Sequence, residues 1–207
     1  MIALEPNAEK WIRLESVDST NSFLLREDLP SGTIVIADRQ TQGRGRHGRQ
    51  WVSPEGSLIL SGILCFDSEQ ISDDRLTLLP LLAGVALLRA LQKMNPSVNL
   101  GIKEPNDIII DRNARKGKVA GILVESEIKG RERRVIVGVG VNATSAPETS
   151  DSVYQPAALF DVSQGEGPFD RDECARLFVM ELNARASQIE SATPAFLGEV
   201  AQYRVGS

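Results

Sequence analysis

The chain has 207 residues, of which 42% are hydrophobic and 25% are charged, as in ordinary globular proteins. Its formal net charge of -5 argues against a general nucleic-acid binder, because domains that bind nucleic acid are usually basic. The single histidine, His47, excludes a multi-histidine metal site.

The start of the chain and its cysteines both bear on where the protein is located. Residues Met1 to Lys10 include two glutamates, a proline and an asparagine, and so do not resemble a signal peptide. The two cysteines, Cys65 and Cys174, form no CxxC pair and have apolar neighbours. They are expected to be reduced, and a cytoplasmic location is therefore predicted.

The first predicted elements are a strand and a capped helix. Trp11 to Glu15 has the pattern of a strand. The polar run from Ser16 to Asn21 precedes an apolar segment that starts at Phe23, so one of its residues is expected to cap a helix. For Ser19 and Thr20, capping alone is the simpler explanation on this evidence.

A segment rich in glycine and arginine lies between two predicted strands, Ile34 to Asp38 and Ser57 to Phe66. It contains Gly43, Arg44, Gly45, Arg46, Gly48, Arg49 and Trp51. Glycine is unfavourable inside strands and helices, whereas arginine binds carboxylates and phosphates well. The motif alone fits a nucleic-acid patch equally well. Its position between strands favours a mobile, cationic active-site loop that folds over an anionic ligand.

The most apolar stretch, Leu76 to Leu91, predicts a buried helix somewhere within Asp73 to Met94. Polar residues, a glycine and Pro80 interrupt the stretch, which therefore falls short of a membrane span. The helix either begins near Pro80 or is kinked there.

The central part of the chain predicts neighbouring strands. Four segments have extended apolar patterns: Val98 to Lys103, Ile108 to Ile110, Lys118 to Ile128, and Arg133 to Asn142. Glu104 to Asp107 is a predicted turn, and the polar Asp111 to Gly117 a hairpin connection. The last strand is rich in β-branched residues and is expected to be buried on both faces. Gly138 and Gly140 lie on one face of it and leave room either for a ligand or for close packing.

After a predicted loop from Ala143 to Asp151, two helices are expected. Asp170 and Glu173 mark the start of the first helix. Its apolar face comprises Cys174, Leu177, Phe178, Leu182 and Ile189. The second helix is predicted from Pro194 to Tyr203. Together these elements predict an α+β fold, a mixed sheet backed by helices.

Four separated motifs together resemble the catalytic domain of biotin–protein ligases. They are Asp18-Ser19-Thr20-Asn21; Gln40 with the run from Gly43 to Arg49 and Trp51; Lys103-x-Pro105-Asn106-Asp107 with Lys118-x-Ala120-Gly121-Ile122-Leu123-Val124-Glu125; and Gly138-x-Gly140-x-Asn142. The resemblance covers Leu14 to Asn142 and is far more specific than the loop alone. It implies a mixed sheet with helices mainly on one face, as in class II aminoacyl-tRNA synthetases and lipoate ligases.

The resemblance also implies two reactions. Biotin and MgATP give biotinyl-5'-AMP and pyrophosphate, and biotin then passes to a lysine of a biotin carboxyl carrier domain of acetyl-CoA carboxylase or a related carboxylase. Because the biotin carboxylate is already ionised at pH 7, the first step needs orientation and positive charge rather than a base. A loop that closes over the acyl-adenylate would protect it from water.

By their place in the motifs, the resemblance assigns residues to each substrate. The biotin-binding set is Ser19, Thr20, Asn21, Gln40, Gly43, Arg44, Gly45, Arg46, Lys118, Gly121 and Leu123. The set that binds ATP with its Mg²⁺ is Arg46, Arg49, Trp51, Lys103, Asn106, Asp107, Lys118 and Asn142. The catalytic set is Lys118 as the main cation, Arg46, and Asp107, which would assist deprotonation of the acceptor lysine. No separate metal site is predicted.

The chain departs from the family pattern in two ways. Glu104 stands where the family usually has tryptophan, and its carboxylate would either repel the nucleotide or point to solvent. Neither an N-terminal winged helix nor the small C-terminal SH3-like β-barrel is recognised, so residues 1–207 are expected to form one catalytic domain without sequence-specific DNA binding. A homodimer is compatible with the sequence.

Three alternatives stay open at this point. A lipoate–protein ligase would share the superfamily, although its members lack this arginine loop. An RNA-binding module would explain the loop but not Lys118 or the Ser19–Thr20 pair. The third is a biotin-binding homologue in which Glu104 and the missing C-terminal domain impair turnover.

Overall fold

The computed structural model describes residues 10–69, 71–112, 114–148, 154–164, 166–186, 189 and 194–205. Within these ranges a mixed sheet has the strand order β1-β2-β3-β7-β6-β5-β4. Only β1 and β2 pair in parallel among the described strands. The strands are β1 (Trp11–Val17), β2 (Ile34–Gln40), β3 (Leu58–Asp67), β4 (Asn99–Lys103), β5 (Asp107–Arg112), β6 (Arg115–Lys129) and β7 (Glu132–Val141).

The described helices are α1 (Thr20–Arg26), α2 (Asp73–Leu76), α3 (Leu79–Met94), α4 (Arg171–Ala186) and α5 (Pro194–Tyr203). Of the two alternatives for the predicted buried helix, the structure has the one that begins near Pro80, since α3 starts at Leu79 and the short α2 precedes it. Pro80 lies in the first turn of α3, where a missing backbone N–H breaks no helical hydrogen bond. The predicted cap of α4 is confirmed, since Asp170 Oδ1 accepts from the backbone N–H groups of Asp172 and Glu173, both at 2.9 Å.

The two faces of the sheet are covered unequally. Helices α3, α4 and α5 pack on one face and share a single large core with the strands. On the other face, α1 buries Leu24 against Val35, Ile63 and Ile136. The predicted arrangement, with helices mainly on one face, is therefore confirmed. The part of the second face beside α1 is where the pocket described below lies.

The apolar segment Asp73–Met94 is long and apolar enough to cross a membrane by length and composition alone. Within it, α3 packs most of its side chains against the sheet, including Leu82, Val85 and Leu87 at no more than 1% exposure. This packing agrees with the predicted buried core helix.

The predicted hairpin between Asp111 and Gly117 is present, but its connection is shorter than predicted. Asp111 to Gly117 is mostly strand, because β5 continues to Arg112 and β6 begins at Arg115. Asp111 faces Lys116 across this pair of strands, and opposite charges in such positions stabilise strand pairing. Of the predicted loop from Ala143 to Asp151, residues 149–151 lie outside the described residues, as do residues 1–9.

Both cysteines are free thiols. Burial, together with nearby carboxylates, raises the pKa of Cys174 to about 12. Burial and a hydrogen bond with Glu132 raise the pKa of the half-buried Cys65 to about 11. Both thiols therefore favour the protonated form at neutral pH, and neither is in a disulfide, in line with the prediction of reduced residues.

Candidate active site

A pocket of about 310 Å³ opens on the sheet face beside α1. Strands β3, β6 and β7 form its floor, and the glycine–arginine segment covers it. Every residue of the predicted sites except Gly43 lines this pocket: Ser19, Thr20, Asn21, Gln40, Arg44, Gly45, Arg46, Arg49, Trp51, Lys103, Asn106, Asp107, Lys118, Gly121, Leu123 and Asn142. Segments that are far apart in the sequence therefore meet at one site.

At one end the pocket is uncharged and polar. Ser19 caps α1, and its Oγ accepts from Ser22 N at 3.4 Å, so the capping interpretation holds for this residue. Thr20 has a different environment. Its N–H donates to Gln40 Oε1 at 2.9 Å, and its Oγ1 lies 2.7 Å from Ser61 Oγ. These buried hydroxyl and amide groups can hydrogen-bond an uncharged polar ligand group.

Asn21 supports this end of the pocket from below. Its Oδ1 accepts from Ser61 at 2.6 Å, while its Nδ2 donates to Leu123 O at 3.3 Å and to Glu125 Oε2 at 2.9 Å. Both amide protons are thus used within the protein. A Cβ at Gly138 would lie 2.1 Å from Asn21 Oδ1, so only glycine leaves room for this amide.

The cationic end of the pocket depends on a bulge in β6. Opposite Ile108 and Ile109, Val119 is an extra residue in β6. It interrupts the regular alternation by which successive side chains point to opposite faces of the sheet. As a result Lys118 and Gly121 face the same side. A Cβ at Gly121 would lie only 3.6 Å from Lys118 Nζ. The bulge thus directs the lysine into the pocket.

Lys118 is mostly buried and forms an ion pair with Asp107. Its Nζ lies 2.7 Å from Asp107 Oδ1, and the two side chains are 19% and 11% exposed. The contact lacks the direction of a good hydrogen bond. The ammonium also lies 5.4 Å from the ring centroid of Trp51. A mostly buried ammonium attracts an anion that enters the pocket more strongly than an ammonium in water would.

The cover, named the flap here, comprises residues 43–51 and is a small hairpin. Gly45 N donates to Arg49 O at 2.7 Å, and Trp51 N donates to Gly43 O at 2.9 Å. A Cβ at Gly43 would lie 2.3 Å from Trp51 O. Gly43 therefore belongs to the base of the flap, where two backbones approach closely, and for this reason it does not line the pocket.

Two arginines join the flap to the pocket walls. Arg44 Nη2 lies 2.6 Å from Glu125 Oε1. Arg46 Nη1 donates to Asn106 Oδ1 at 3.1 Å, and Asn106 Nδ2 in turn donates to the carbonyl of Ile122 at 2.9 Å. The flap is therefore closed over the pocket in this structure. Its predicted mobility stays a prediction.

The packing of Trp51 bears on the two alternatives left open for Gly138 and Gly140. A Cβ at Gly140 would lie 2.4 Å from Trp51 Nε1, and a Cβ at Gly121 would lie 3.1 Å from its ring. The missing side chains of Gly138 and Gly140 therefore make room for close packing by Asn21 and Trp51, and both glycines also line the pocket. The indole Nε1 is buried without a hydrogen-bond partner.

The charged side of the pocket beside Lys118 can hold a nucleoside triphosphate. Lys103, Arg46 and Arg49 line it together with Asp107. Asn142 Oδ1 is buried there without a hydrogen-bond partner. A carboxylate and an amide oxygen are ligands that Mg²⁺ prefers, and the ion usually takes few protein ligands because phosphates supply others. The donor set thus fits Mg²⁺ that arrives with a nucleotide. Within the described part of the chain, no larger cluster of metal-binding side chains occurs.

Glu104 points away from this side of the pocket. It forms an ion pair with Arg204, whose Nε donates to Glu104 Oε1 at 2.7 Å, and it does not line the pocket. The segment after α5 reaches this place because Val205 N donates to Ile102 O at 3.0 Å, along the edge of β4. Of the two positions considered for Glu104, the structure has the one outside the nucleotide site.

Two residues that organise the pocket are absent from the predicted site. Ser61 is fully buried and bonds both Thr20 and Asn21. A serine inside the apolar strand β3 was a usable signal, since buried hydroxyls need partners. Glu125 was quoted within a motif but received no role.

Comparison with solved structures identifies the fold first. A biotin protein ligase from Leishmania major superimposes with a TM-score of 0.73 at 24% identity, covering 97% of this chain and 82% of that one. A biotin protein ligase from Aquifex aeolicus, solved in complex with biotin and ATP, gives 0.77 at 27% identity, covering 95% and 79%. The fold is that of the biotin protein ligases, related to class II aminoacyl-tRNA synthetases, as predicted.

Sequence comparison then identifies the family. The Biotin/lipoate A/B protein ligase family matches residues 13–142. A biotin–[acetyl-CoA-carboxylase] ligase from Mycobacterium tuberculosis is 36% identical over 208 aligned positions, covering 95% of this chain and 71% of that protein. One from Paracoccus denitrificans is 37% identical, covering 74% and 62%. The chain therefore belongs to the biotin/lipoate A/B protein ligase family, and the resemblance of its motifs is confirmed.

Proposed function

We propose that the chain activates biotin with ATP to form biotinyl-5'-AMP and pyrophosphate. It then transfers biotin to a lysine of the biotin carboxyl carrier domain of acetyl-CoA carboxylase or a related carboxylase. The names of the relatives support this proposal, and so does the complex of the Aquifex aeolicus protein with biotin and ATP.

One observation carries the proposal. A single pocket joins an uncharged polar end, at Thr20 and Gln40, to a cationic end at Lys118. Biotin has a polar ureido group at one end and a carboxylate at the other. Its ureido group would hydrogen-bond Thr20 and Gln40, while its carboxylate would lie beside Lys118.

The first chemical step joins the biotin carboxylate to the α-phosphorus of ATP. A carboxylate oxygen forms the new P–O bond, and the bond to the departing pyrophosphate breaks. Lys118 and Arg46 would stabilise the negative charge that develops on the α-phosphate oxygens. Arg49 and Lys103 would hold the remaining phosphates, with Mg²⁺ as part of the ATP substrate. No residue has to remove a proton in this step.

The second step transfers the acyl group. The amine of the acceptor lysine attacks the acyl carbon, a C–N bond forms, and AMP leaves with its phosphate. Asp107 would accept the proton that the amine loses, because it is the carboxylate beside Lys118 in the pocket. The closed flap would keep water from the acyl-adenylate in the meantime.

We also propose that the enzyme is cytoplasmic and does not bind nucleic acid. The net charge of -5 does not favour binding to DNA or RNA, and Arg44 and Arg46 of the flap are engaged by Glu125 and Asn106. Binding of the purified chain to DNA in a gel shift at 0.2 M salt would contradict this part of the proposal.

The exchange of labelled pyrophosphate into ATP tests the proposed function directly. We expect exchange that requires biotin, with lipoate as the matched substrate control. Exchange with lipoate but not with biotin would change the substrate while keeping the family. Exchange with neither acid, alongside biotin binding by calorimetry, would leave a binding protein without turnover.

A further inference from the structure

Glu125 is a carboxylate in the pocket region that the mechanism above does not use. It lies on β6, and its side chain is 20% exposed. Its Oε2 accepts from Asn21 Nδ2 at 2.9 Å, and its Oε1 lies 2.6 Å from Arg44 Nη2. The two partners lie on different elements, the start of α1 and the flap. Glu125 thus connects the floor of the pocket to its cover.

On the floor side, Glu125 orients a chain of hydrogen bonds. A carboxylate only accepts, so Asn21 must direct its NH₂ group to Glu125 and its Oδ1 to Ser61. The single hydroxyl proton of Ser61 then goes to Asn21 Oδ1. Thr20 Oγ1 lies 2.7 Å from Ser61 Oγ and donates its own proton to Gln40 Oε1 at 3.2 Å. The lone pairs of Thr20 Oγ1 and the NH₂ group of Gln40 consequently remain for a ligand.

On the cover side, Glu125 holds the base of the flap. The Arg44 guanidinium contacts Glu125 and also donates to Ser22 Oγ at 3.1 Å. The carboxylate is largely shielded from water, whereas the Arg44 side chain is 46% exposed. Because Glu125 is mostly buried, its ion pair with Arg44 stabilises the closed flap more than a fully exposed ion pair would. Because Arg44 is half exposed, the pair can still break when the flap opens.

We propose that Glu125 is a positioning residue for the adenylation site. It acts through Asn21 to fix the direction of the hydrogen bonds at the uncharged polar end of the pocket, and through Arg44 to keep the flap closed. This inference rests on the proposed function for its consequences in catalysis. The contact with the flap can be tested without any substrate.

The substrate-free test uses trypsin, which cleaves after the flap arginines once the flap opens. We expect Glu125→Gln to raise the rate of cleavage within residues 43–51 about fivefold, because a glutamine cannot accept from both partners. Glu173→Gln is the matched control, since it removes a contact to Arg176 on α4, away from the pocket. Equal cleavage of Glu125→Gln and the wild type would overturn the role in the flap.

The second test separates positioning from simple stability. For Glu125→Gln we expect the KM for biotin in pyrophosphate exchange to rise about fivefold, with kcat changed less than twofold. Glu125→Ala, which loses both contacts, should raise KM further. A general loss of folding would instead reduce kcat through the active fraction, with KM unchanged. That pattern would overturn the inference.

A double-variant cycle tests whether Glu125 acts through Arg44. In the Arg44→Gln background, Glu125→Gln should add no further increase in trypsin cleavage, because the contact is already absent. If the two substitutions instead increased cleavage additively, Glu125 would not act on the flap through Arg44. If the wild-type chain shows no biotin-dependent exchange, the proposed function fails. The trypsin measurements would still decide the contact between Glu125 and the flap.

Discussion

At the scale of single residues, the site depends on a few side chains whose neighbours leave them little freedom. Lys118 is held between Asp107 and the Trp51 ring, and Asn21 has both amide protons engaged. Such groups are oriented before any ligand arrives. Preorganised charge of this kind is usually the largest contribution to catalysis.

Replacing Lys118 by alanine should slow adenylation by at least roughly 30-fold, or about 2 kcal/mol in the barrier, as for other electrostatic stabilisers. The measurement is the rate of biotinyl-5'-AMP formation in a single turnover. Lys118→Arg keeps a positive charge and serves as the control. A Lys118→Ala variant that forms the adenylate at nearly the wild-type rate would remove the role proposed for this residue.

Gly140→Ala should displace the indole that covers the pocket. The new Cβ would lie 2.4 Å from Trp51 Nε1, so the ring has to move. We expect the KM for ATP to rise at least about tenfold and the tryptophan emission to shift to longer wavelength, as a buried ring becomes exposed.

Gly198→Ala is the matched control for this glycine. Apart from the backbone of α5 itself, no atom of the described residues lies within 4 Å of a Cβ at this position, and alanine favours helix by up to about 1 kcal/mol. The control should leave the KM for ATP unchanged and raise the melting temperature. An unchanged emission spectrum in Gly140→Ala would show that Trp51 does not pack as described.

At the scale of elements, β6 and its neighbours bring the cations together. The bulge at Val119 turns Lys118 towards the pocket, and the first residue of β5 is Asp107. The segment after α5 lies against the edge of β4, where Gly101 leaves space for Val205. The ion pair of Glu104 with Arg204 lies at this same edge.

Glu104→Gln should leave the KM for ATP within about twofold of the wild-type value, because the carboxylate faces Arg204 outside the pocket and the pair is largely exposed. Asp107→Asn is the corresponding change inside the pocket and should reduce turnover strongly. A marked decrease of the KM in Glu104→Gln would mean that the carboxylate repels the nucleotide after all.

The sequence predicted the residues that line the pocket better than the contacts that hold those residues in place, for physical reasons. Arg44, Gly45 and Arg46 occur in one short motif whose composition is unfavourable in ordinary strands and helices. By contrast, the bulge at Val119 depends on register with β5, which no local pattern reveals. The pairing of Glu104 with Arg204 spans nearly half of the chain, and so it too lay beyond sequence reasoning.

At the scale of the whole molecule, the sheet separates two tasks. One face packs against α3, α4 and α5 and provides stability, while the other leaves a pocket beside α1. The three helices of the stable face are joined by ion pairs whose carboxylates are mostly buried. Glu199 accepts from Arg89 at 2.7 Å and from Arg185 at 3.0 Å, and Glu181 contacts Lys93 at 2.7 Å.

This network makes the stability sensitive to acid. Burial by itself would raise the pKa of Glu199, but hydrogen bonds from Arg185 and Arg89 outweigh it, and the pKa lies below the ordinary value of 4.5. The same holds for Glu181 with Lys93. A carboxyl group with a lowered pKa contributes stability above the unfolded value, which is lost as the pH falls through the folded value.

We therefore expect the free energy of unfolding to fall below pH 4.5, and to fall less steeply in Glu199→Gln. At pH 7 this variant should be less stable by about 2 kcal/mol, because Arg185 loses a buried partner. Urea denaturation at pH 7 and pH 4 provides both values. Asp172→Asn, which removes an exposed pair with Arg13, is the control. Identical pH dependence in Glu199→Gln and the wild type would contradict the assignment.

A crystal structure of the chain with a stable analogue of biotinyl-5'-AMP most directly tests whether one closed pocket holds both substrates. We predict the ureido group within hydrogen-bonding distance of Thr20 and Gln40, the phosphate beside Lys118, and the flap closed above the acyl phosphate. An analogue bound elsewhere, or with its phosphate far from Lys118 beneath an open flap, would contradict the central claim.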